Sequence, residues 1–401
     1  MRVVNKSKAR ALRRVESVAP SRPRPDLDLL LVDLSRKLRV AVVYGGSKEA
    51  NGAVIRETDN PRSWKSYRRV ADDIAQTLRG MGLAHVAVLA DDMTLLRELK
   101  RRRINLVWLN TGGVQGRYAM SHTSALLEMC GIPYVGHDPL LAALLDSKGH
   151  FKRCLEAQGI AIAPYVICKA EHGRIDVSQS ALRGLATRSP YGFVVKPNSG
   201  RASLHVHFVE RLSALPAVVG DVYEATRSSV IVESFLPGRE YCVGIGGPVV
   251  SRRGRLEEVD GAFVFSAVER RLDRDEPIFT SMDMRPITTK RIVPLSHTRD
   301  GHTVSALHGL ALAVRRELQI EALIRLDVRE DARGALHVLE ANPKPDLLAP
   351  RDDAISILCA GLDAEGMTYA DLIRSQIADR LARLFDGRTG SAEQFLATFK
   401  Y

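Results

Sequence analysis

Cysteine is sparse: five in 401 residues, at Cys130, Cys154, Cys168, Cys242 and Cys359, odd in number and with no CxxC pair. That pattern excludes a disulfide framework and a zinc knuckle, and leaves them as buried or incidental thiols. Long apolar runs are also absent. No stretch approaches the roughly 18 residues of a bilayer span, and no signal-peptide core opens the chain, so the expectation is a cytoplasmic protein with no membrane partner. Aromatics make up only 5% of the residues, and none is interleaved with the arginines of the N-terminal segment, where a single-strand nucleic-acid binder would stack bases. No internal repeat is present.

What the chain does contain is charge, unevenly placed. Of a net +11, residues 1–40 hold eleven Lys/Arg against four Asp/Glu, or +7, leaving +4 for the remainder. The opening MRVVNKSKARALRRVESVAPSRPRP mixes Arg, Lys, Ser and Pro with few large apolar residues, which predicts a basic flexible lead over 1–37. A transit segment or a nucleic-acid arm are the other readings of such a lead, although nucleic acid is not the partner its composition favours.

From residue 39 short apolar runs alternate with amphipathic stretches, the pattern of βα units around a sheet. RVAVVYGG, HVAVLA and INLVWLN read as strands, with SWKSYRRVADDIAQTLRGMG and DMTLLRELKRRR as helices between them. An α/β domain over 38–137 follows. Beyond it, SKGHFKRCLEAQG predicts a helix, and AIAPYVIC, YGFVVKP, SLHVHFVE and SSVIVESFLPGREYCVGIGG predict strands that succeed one another directly. That change marks α+β architecture, divided here into lobes over 138–238 and 239–380 with a tail over 381–401. Residues 250–300 read as loop, and MTYADLIRSQIADRLARLF as a closing helix.

The chemistry concentrates in LIRLDVREDARGALHVLEAN, residues 323–342. DARG suits a tight reversal, so the flanking runs should pair. A turn centred between Ala332 and Arg333 sets Asp327 opposite Val338 and Arg325 opposite Glu340, and puts Arg325, Asp327, Glu340 and Asn342 on one face. Asp327, Glu340 and Asn342 then offer hard oxygens suited to magnesium, which takes few protein ligands and completes its shell with phosphate and water. The same charges equally suit a cross-strand ion pair on a solvated face. Upstream, VVKPNSGRAS places Lys196 at a strand end before a Gly/Ser loop, and SSVIVESFLPGRE places Glu233 and Glu240 around a turn.

The ordered set YGG, NTGGVQG, LLEMCGIPYVG, DSKGHFKRCLEAQGIAIAPY, VVKP, VESFLPGRE, IRLD and LEAN resembles the D-alanine–D-alanine ligase family of the ATP-grasp superfamily, over roughly residues 38–375. The resemblance implies a three-part architecture, with an N-terminal α/β domain preceding central and C-terminal ATP-grasp α+β lobes. It implies ATP and Mg2+ (or Mn2+) as cofactors and small amino-acid or peptide substrates, and it is compatible with a homodimer. Carried over residue by residue, it implies that Lys148 and Lys196 neutralise ATP phosphates, with Ser203 in the covering loop. Glu233 and the backbone near Leu236 would receive adenine, and Glu240 the ribose. Asp327, Glu340 and Asn342 would bind the metal, and Arg325 would steady charge on an acyl phosphate and tetrahedral intermediate.

The text also departs from that family. SGRASLHV sets Arg201 and Ala202 where the family has glycine and serine, and PKPDLLAPR sets Asp346 and Arg351 where it has a glycine and a substrate-reading serine. Either Glu49 or Glu57 matches the family's early acidic residue, and Arg270, Arg271 and Lys290 are the choices for its loop lysine. His205 and His207 read as solvated strand residues. The expected activity is an ATP-dependent carboxylate-amine ligase acting through an acyl phosphate, with D-alanine–D-alanine ligase proper and a catalytically silent ATP-binding protein as alternatives.

Overall fold

The computed structural model describes residues 27–47, 49–50, 52–56, 64–200, 203–273, 276–278, 291–351 and 356–386. Helix α1 (Leu27–Ser35) precedes β1 (Arg39–Tyr44), α2 (Arg68–Gly80), β2 (His85–Ala90), α3 (Leu95–Arg101), β3 (Leu106–Asn110), α4 (His122–Met129) and β4 (Tyr134–Val135). The four strands form a parallel sheet in the order β2-β1-β3-β4. The lead expected to be flexible to residue 37 is therefore helical from Leu27. Its Asp28 pairs with Arg374 and accepts from the Leu256 amide, and Leu34 is buried. Few apolar residues in the preceding segment hid the helix whose Leu31 and Leu34 pack there.

Next come α5 (Pro139–Asp146) and α6 (Lys148–Ala157), then β5 (Tyr165–Cys168), β6 (Ala170–Glu171), β7 (Arg174–Ile175), α7 (Gln179–Ala186), β8 (Phe193–Pro197), β9 (His207–Val209), α8 (Leu215–Thr226) and β10 (Val230–Ser234). Pro139 in the first turn and an Asp138 side chain accepting from Leu141 N start α5. The second sheet, β5-β10-β8-β9, is antiparallel, with Leu182, Leu185, Leu215, Val219 and Val222 packed on it.

The third part holds β11 (Glu240–Gly246), β12 (Val249–Arg252), β13 (Arg255–Glu258), β14 (Phe263–Arg270), β15 (Ile292–Pro294), α9 (Gly301–Glu317), β16 (Ile324–Glu330), β17 (Leu336–Asn342) and α10 (Tyr369–Asp386). Its antiparallel sheet runs β15-β14-β11-β16-β17. Residues 250–300, expected as loop, thus contain an interior strand: FVFSAVER pairs with β11 on one side and β15 on the other. The apolar run is there in the sequence, but charged and proline-containing neighbours masked it. Helices α5 and α6 bury Leu141, Leu145, Phe151 and Leu155 against this third sheet, while α10 shares a core with α2 and the first sheet. No described helix is long and apolar enough to cross a membrane.

The hairpin of β16 and β17 closes differently from the expected register. Asp327 lies opposite Glu340 and Arg325 opposite Asn342, while Val328 faces Val338, with a bulge between these registers. Val338 is fully buried in the core with Ile324, Leu326 and Val328. Strict alternation from Val338 would turn Glu340 into that core as well. The extra residue, Leu339, resets the alternation, so Ala341 points inward and Glu340 and Asn342 join Arg325 and Asp327 on the other face.

His137, between β4 and α5, is buried, with its Nε2–H donating to the Leu323 carbonyl at 3.2 Å. Burial, opposed by that carbonyl, pushes the imidazole down to about 4 from its ordinary 6.5. The unfolded chain then binds the proton first as pH falls. The resulting stability is complete above about pH 6.5 and declines toward pH 4. His137→Gln should flatten the dependence of the unfolding midpoint on pH across that window, and an unchanged slope would refute the assignment.

Candidate functional site

Strand β8 delivers Lys196, and the residues after it dock α6. Asn198 O accepts from Lys148 N at 2.9 Å, Asn198 Oδ1 accepts from Gly149 N at 2.7 Å, and Asn198 Nδ2 donates to Ser147 Oγ at 3.0 Å. Gly149 permits this approach: a Cβ there would lie 2.6 Å from Ile167 Cδ1 and 2.7 Å from Asn198 Oδ1. Lys148 is thereby fixed at the helix start. Its Nζ donates to Gly200 O at 3.1 Å and stands 3.4 Å from Glu340 Oε2.

Asp327 is nearly inaccessible and is gripped from its own strand, with Arg325 Nε 2.7 Å from Oδ1 and Arg325 Nη2 2.9 Å from Oδ2. Asn342 Nδ2 lies 3.4 Å from Oδ2, and the Cys242 thiol donates to Oδ1 at 3.3 Å. The cross-strand pair of Arg325 with Glu340 that the sequence allowed is replaced by this same-strand pair, because the bulge sets Asn342, not Glu340, opposite Arg325. Cys242 is not incidental: it floors the carboxylate pair, and burial beside Asp327 pushes its thiol well above the ordinary range.

Glu233, on β10, meets two ammonium groups through one oxygen, Lys196 at 3.0 Å and Lys152 at 3.3 Å. Glu240, on β11, pairs with Arg270 and, at 3.1 Å, with Arg329. Arg270 also reaches within 3.7 Å of Asp327, whereas Arg271 is exposed near Glu269. Lys290, Glu57, Arg201 and Ala202 lie outside the described residues. Glu49 is exposed and accepts from Ser47 Oγ. His205 and His207 are both exposed, with only His207 on a strand.

Lys196, Ser203, Glu233, Leu236, Glu240, Arg270, Asp327, Arg329, Leu339 and Glu340 converge on one cleft of about 590 Å³ between the second and third sheets. Ser203 is held there with φ +53°. Lys148, Lys152, Lys196, Arg270, Arg325 and Arg329 face Glu233, Glu240, Asp327 and Glu340, a surplus of two positive charges. Burial disfavours every ion here, yet partners overturn it for several. Glu340 is drawn down to about 2 by Lys148, Lys196, Arg325 and Arg270 despite burial, and Glu233 is lowered by its two lysines. Burial likewise opposes the Lys196 charge, but Glu233, Glu340 and Asp327 raise it above the ordinary range. For Arg270 and Arg329 burial prevails, lowering each to about 10. A cleft with surplus buried cations and two opposed carboxylates suits a polyanion bound with a divalent ion.

A sequence model of the D-Ala D-Ala ligase C-terminus matches residues 154–378. The chain belongs to the D-alanine–D-alanine ligase family. It is 24% identical to a D-alanine–D-alanine ligase of Mycolicibacterium vanbaalenii over 382 residues, covering 87% of this chain and 99% of the relative. It is 26% identical to the uncharacterized protein y4sG of Sinorhizobium fredii over 313 residues, 75% of this chain and 85% of the relative. The fold matches the D-alanine–D-alanine ligase of Bacillus anthracis complexed with ATP, at TM-score 0.60 and 18% identity over 86% of this chain and 97% of that one. It also matches the VanG D-Ala:D-Ser ligase of Enterococcus faecalis, at TM-score 0.61 and 16% identity over 86% and 99%. The ATP-grasp architecture and the ATP-dependent ligase class expected from the motifs both stand.

Within this family frame the residues that sequence reasoning missed are Lys152, Arg329 and Asn198. Lys152 had a signal, since it lies one helical turn from Lys148 and shares its face. Arg329 had a weaker one in its period-two spacing from Arg325 and Asp327. The departures after Asn342 are anchored in the N-terminal domain. Lys344 stands 3.4 Å from the Tyr67 ring centroid and donates to Asn110 Oδ1 at 3.3 Å. Arg351 pairs with buried Asp73 of α2, which also accepts from Ala349 N at 3.1 Å. Asp73→Ala should lower stability by about 1.5–3 kcal/mol, the range for hydrogen bonds to a charged group. Denaturant unfolding with Asp72→Ala as the exposed control checks this, and equal effects of the two would refute the clamp.

Proposed function

We propose that the chain joins the carboxylate of an amino acid or small peptide acid to an amine, with ATP as the driving substrate and Mg2+ bound at Asp327, Glu340 and Asn342. The observation that carries this reading is the single cleft in which Lys196 and Glu233 from one lobe meet Asp327 and Glu340 from the other, with Arg325 paired to Asp327 and Lys148 bridging both lobes at Gly200 and Glu340. The donor set fits the metal. Two carboxylates face each other across β16 and β17, and an amide two residues on shares their face. Bound there, Mg2+ would supply charge neutralisation at the phosphates.

In the proposed reaction a substrate carboxylate oxygen bonds to the γ-phosphorus as the bond to ADP breaks. The amine nitrogen then attacks the acyl carbon, phosphate leaves, and the ammonium proton is lost to solvent. No protein nucleophile enters. The chain's part is positioning and electrostatics. Lys148 and Lys196 hold phosphate oxygens, and Arg325, whose guanidinium is pinned by Asp327, presents fixed positive charge to the oxyanion that develops on the acyl group. Arg270 is the cleft cation that supports the reading of a phosphate contact from the 265–295 segment, since Arg271 points to solvent. ATP dependence and the absence of a described spanning helix are consistent with a cytoplasmic enzyme.

D-alanine–D-alanine ligase proper is the second reading, favoured by the near full-length match to the M. vanbaalenii ligase. Against it stand Asp346 and Arg351 in the acceptor segment, the latter committed to Asp73. Phosphate release with ATP, Mg2+ and a pool of L- and D-amino acids, compared with D-alanine alone, separates the two. The expected result is amine-dependent ADP and amide formation, and no turnover with any acid and amine would refute ligation. Arg325→Ala should lower kcat about 100-fold while changing KM for ATP little, the pattern of a lost transition-state contact. Asp327→Ala should abolish Mg2+-dependent nucleotide binding, and unchanged turnover in that variant would refute the metal assignment.

A further inference from the structure

Lys152 has no role in the reading above, yet it is fully buried, beside Glu233, one turn along α6 from Lys148. An ammonium without solvent is costly to bury, and an apolar side chain of similar length would usually serve packing as well or better. Its placement therefore asks for another explanation. Lys152 is inaccessible from the cleft, whereas Glu233 and Lys196 line it. Both ammonium groups approach the same Glu233 oxygen, at 3.3 and 3.0 Å. Tyr165 pairs with Glu233 across β5 and β10, and its ring centroid lies 5.9 Å from Lys152 Nζ.

We propose that Lys152 is a positioning residue that acts through the Glu233 carboxylate, offsetting its charge from a side inaccessible to the cleft so that Lys196 is held in place while able to bind phosphate. The inference rests on the nucleotide reading of the cleft. Two ammonium groups and one carboxylate leave the trio with one net positive charge. Without Lys152, Glu233 and Lys196 form a neutral buried pair, and a phosphate must then compete with the carboxylate for the same ammonium in a poorly screened setting. The charges around the trio agree, since burial holds the Lys152 ammonium below its ordinary range while Lys196, facing Glu233, Glu340 and Asp327, stays above its own. Lys152 thus takes up the electrostatic burden that would otherwise fall on Lys196.

The test is calorimetric binding of AMP-PNP with Mg2+ to the full chain, with ADP-release kinetics alongside. Lys152→Met should weaken binding about tenfold, equivalent to about 1.4 kcal/mol, and raise KM for ATP more than it lowers kcat. Lys152→Met combined with Glu233→Gln restores the net charge of the trio. Because the family resemblance also gives Glu233 an adenine contact, this pair is read with inorganic triphosphate and Mg2+, and the double variant should recover most of the triphosphate binding that Lys152→Met loses. Lys152→Arg keeps the charge and should stay within about threefold of the parent. Lys196→Met is the control that should lose binding whatever Lys152 does. Parent-like binding by Lys152→Met, or a double variant no better than Lys152→Met, overturns the inference while the nucleotide reading stands. If Lys152→Met does not fold, a Lys152→Arg variant that folds but binds tenfold or more weakly overturns it as well. Failure of the parent chain to bind AMP-PNP overturns both.

Discussion

Ten charged side chains line or underlie one cleft, and each can be held there only because another neutralises it. Desolvation works against every one, so the arrangement is set by pairing: Arg325 on Asp327, Lys148 on Glu340, Lys152 and Lys196 on Glu233, Arg270 and Arg329 on Glu240. The pairs are not balanced. Six cations against four carboxylates leave the cleft positive where the two lobes face each other, and this surplus gives it a preference for a polyanion. Since the ions are preorganised by packing rather than by solvent, little reorganisation accompanies charge development on a bound substrate.

Two backbone devices make the pairing achievable. Asn198 fastens the start of α6 to the end of β8, with Gly149 allowing the close approach, and so sets Lys148 and Lys152 beside Lys196. The bulge at Leu339 turns Glu340 and Asn342 out of the core and onto the face of Asp327. Neither device is costly locally. Each nonetheless decides which charged groups share one cleft, and the Asn198 contact joins α6 and β8, whose cores are otherwise separate.

The segment after Asn342 is tied to the N-terminal domain through Lys344 with Tyr67 and Asn110, and through Ala349 and Arg351 with Asp73. Asp73 sits on the buried face of α2, so Arg351 is committed to a contact with that helix.

The sequence by itself determined the alternating architecture and the residue types that can bind phosphate and metal, because strand and helix periodicities and side-chain chemistry are local properties. Hence strands β1 to β3, β16 and β17 were legible in the sequence, and Lys196, Glu233, Asp327 and Glu340 stood out there as charged groups that the fold brings to one cleft. Only the tertiary structure decided which ions meet. The hairpin register depended on a one-residue bulge whose driving force is the burial of Val338. Lys152 acquired a role only because Glu233 arrives from a strand some eighty positions later. The interior strand β14 and helix α1 were obscured by charged and proline-containing flanks, and what fixes each is a neighbour supplied from elsewhere in the chain.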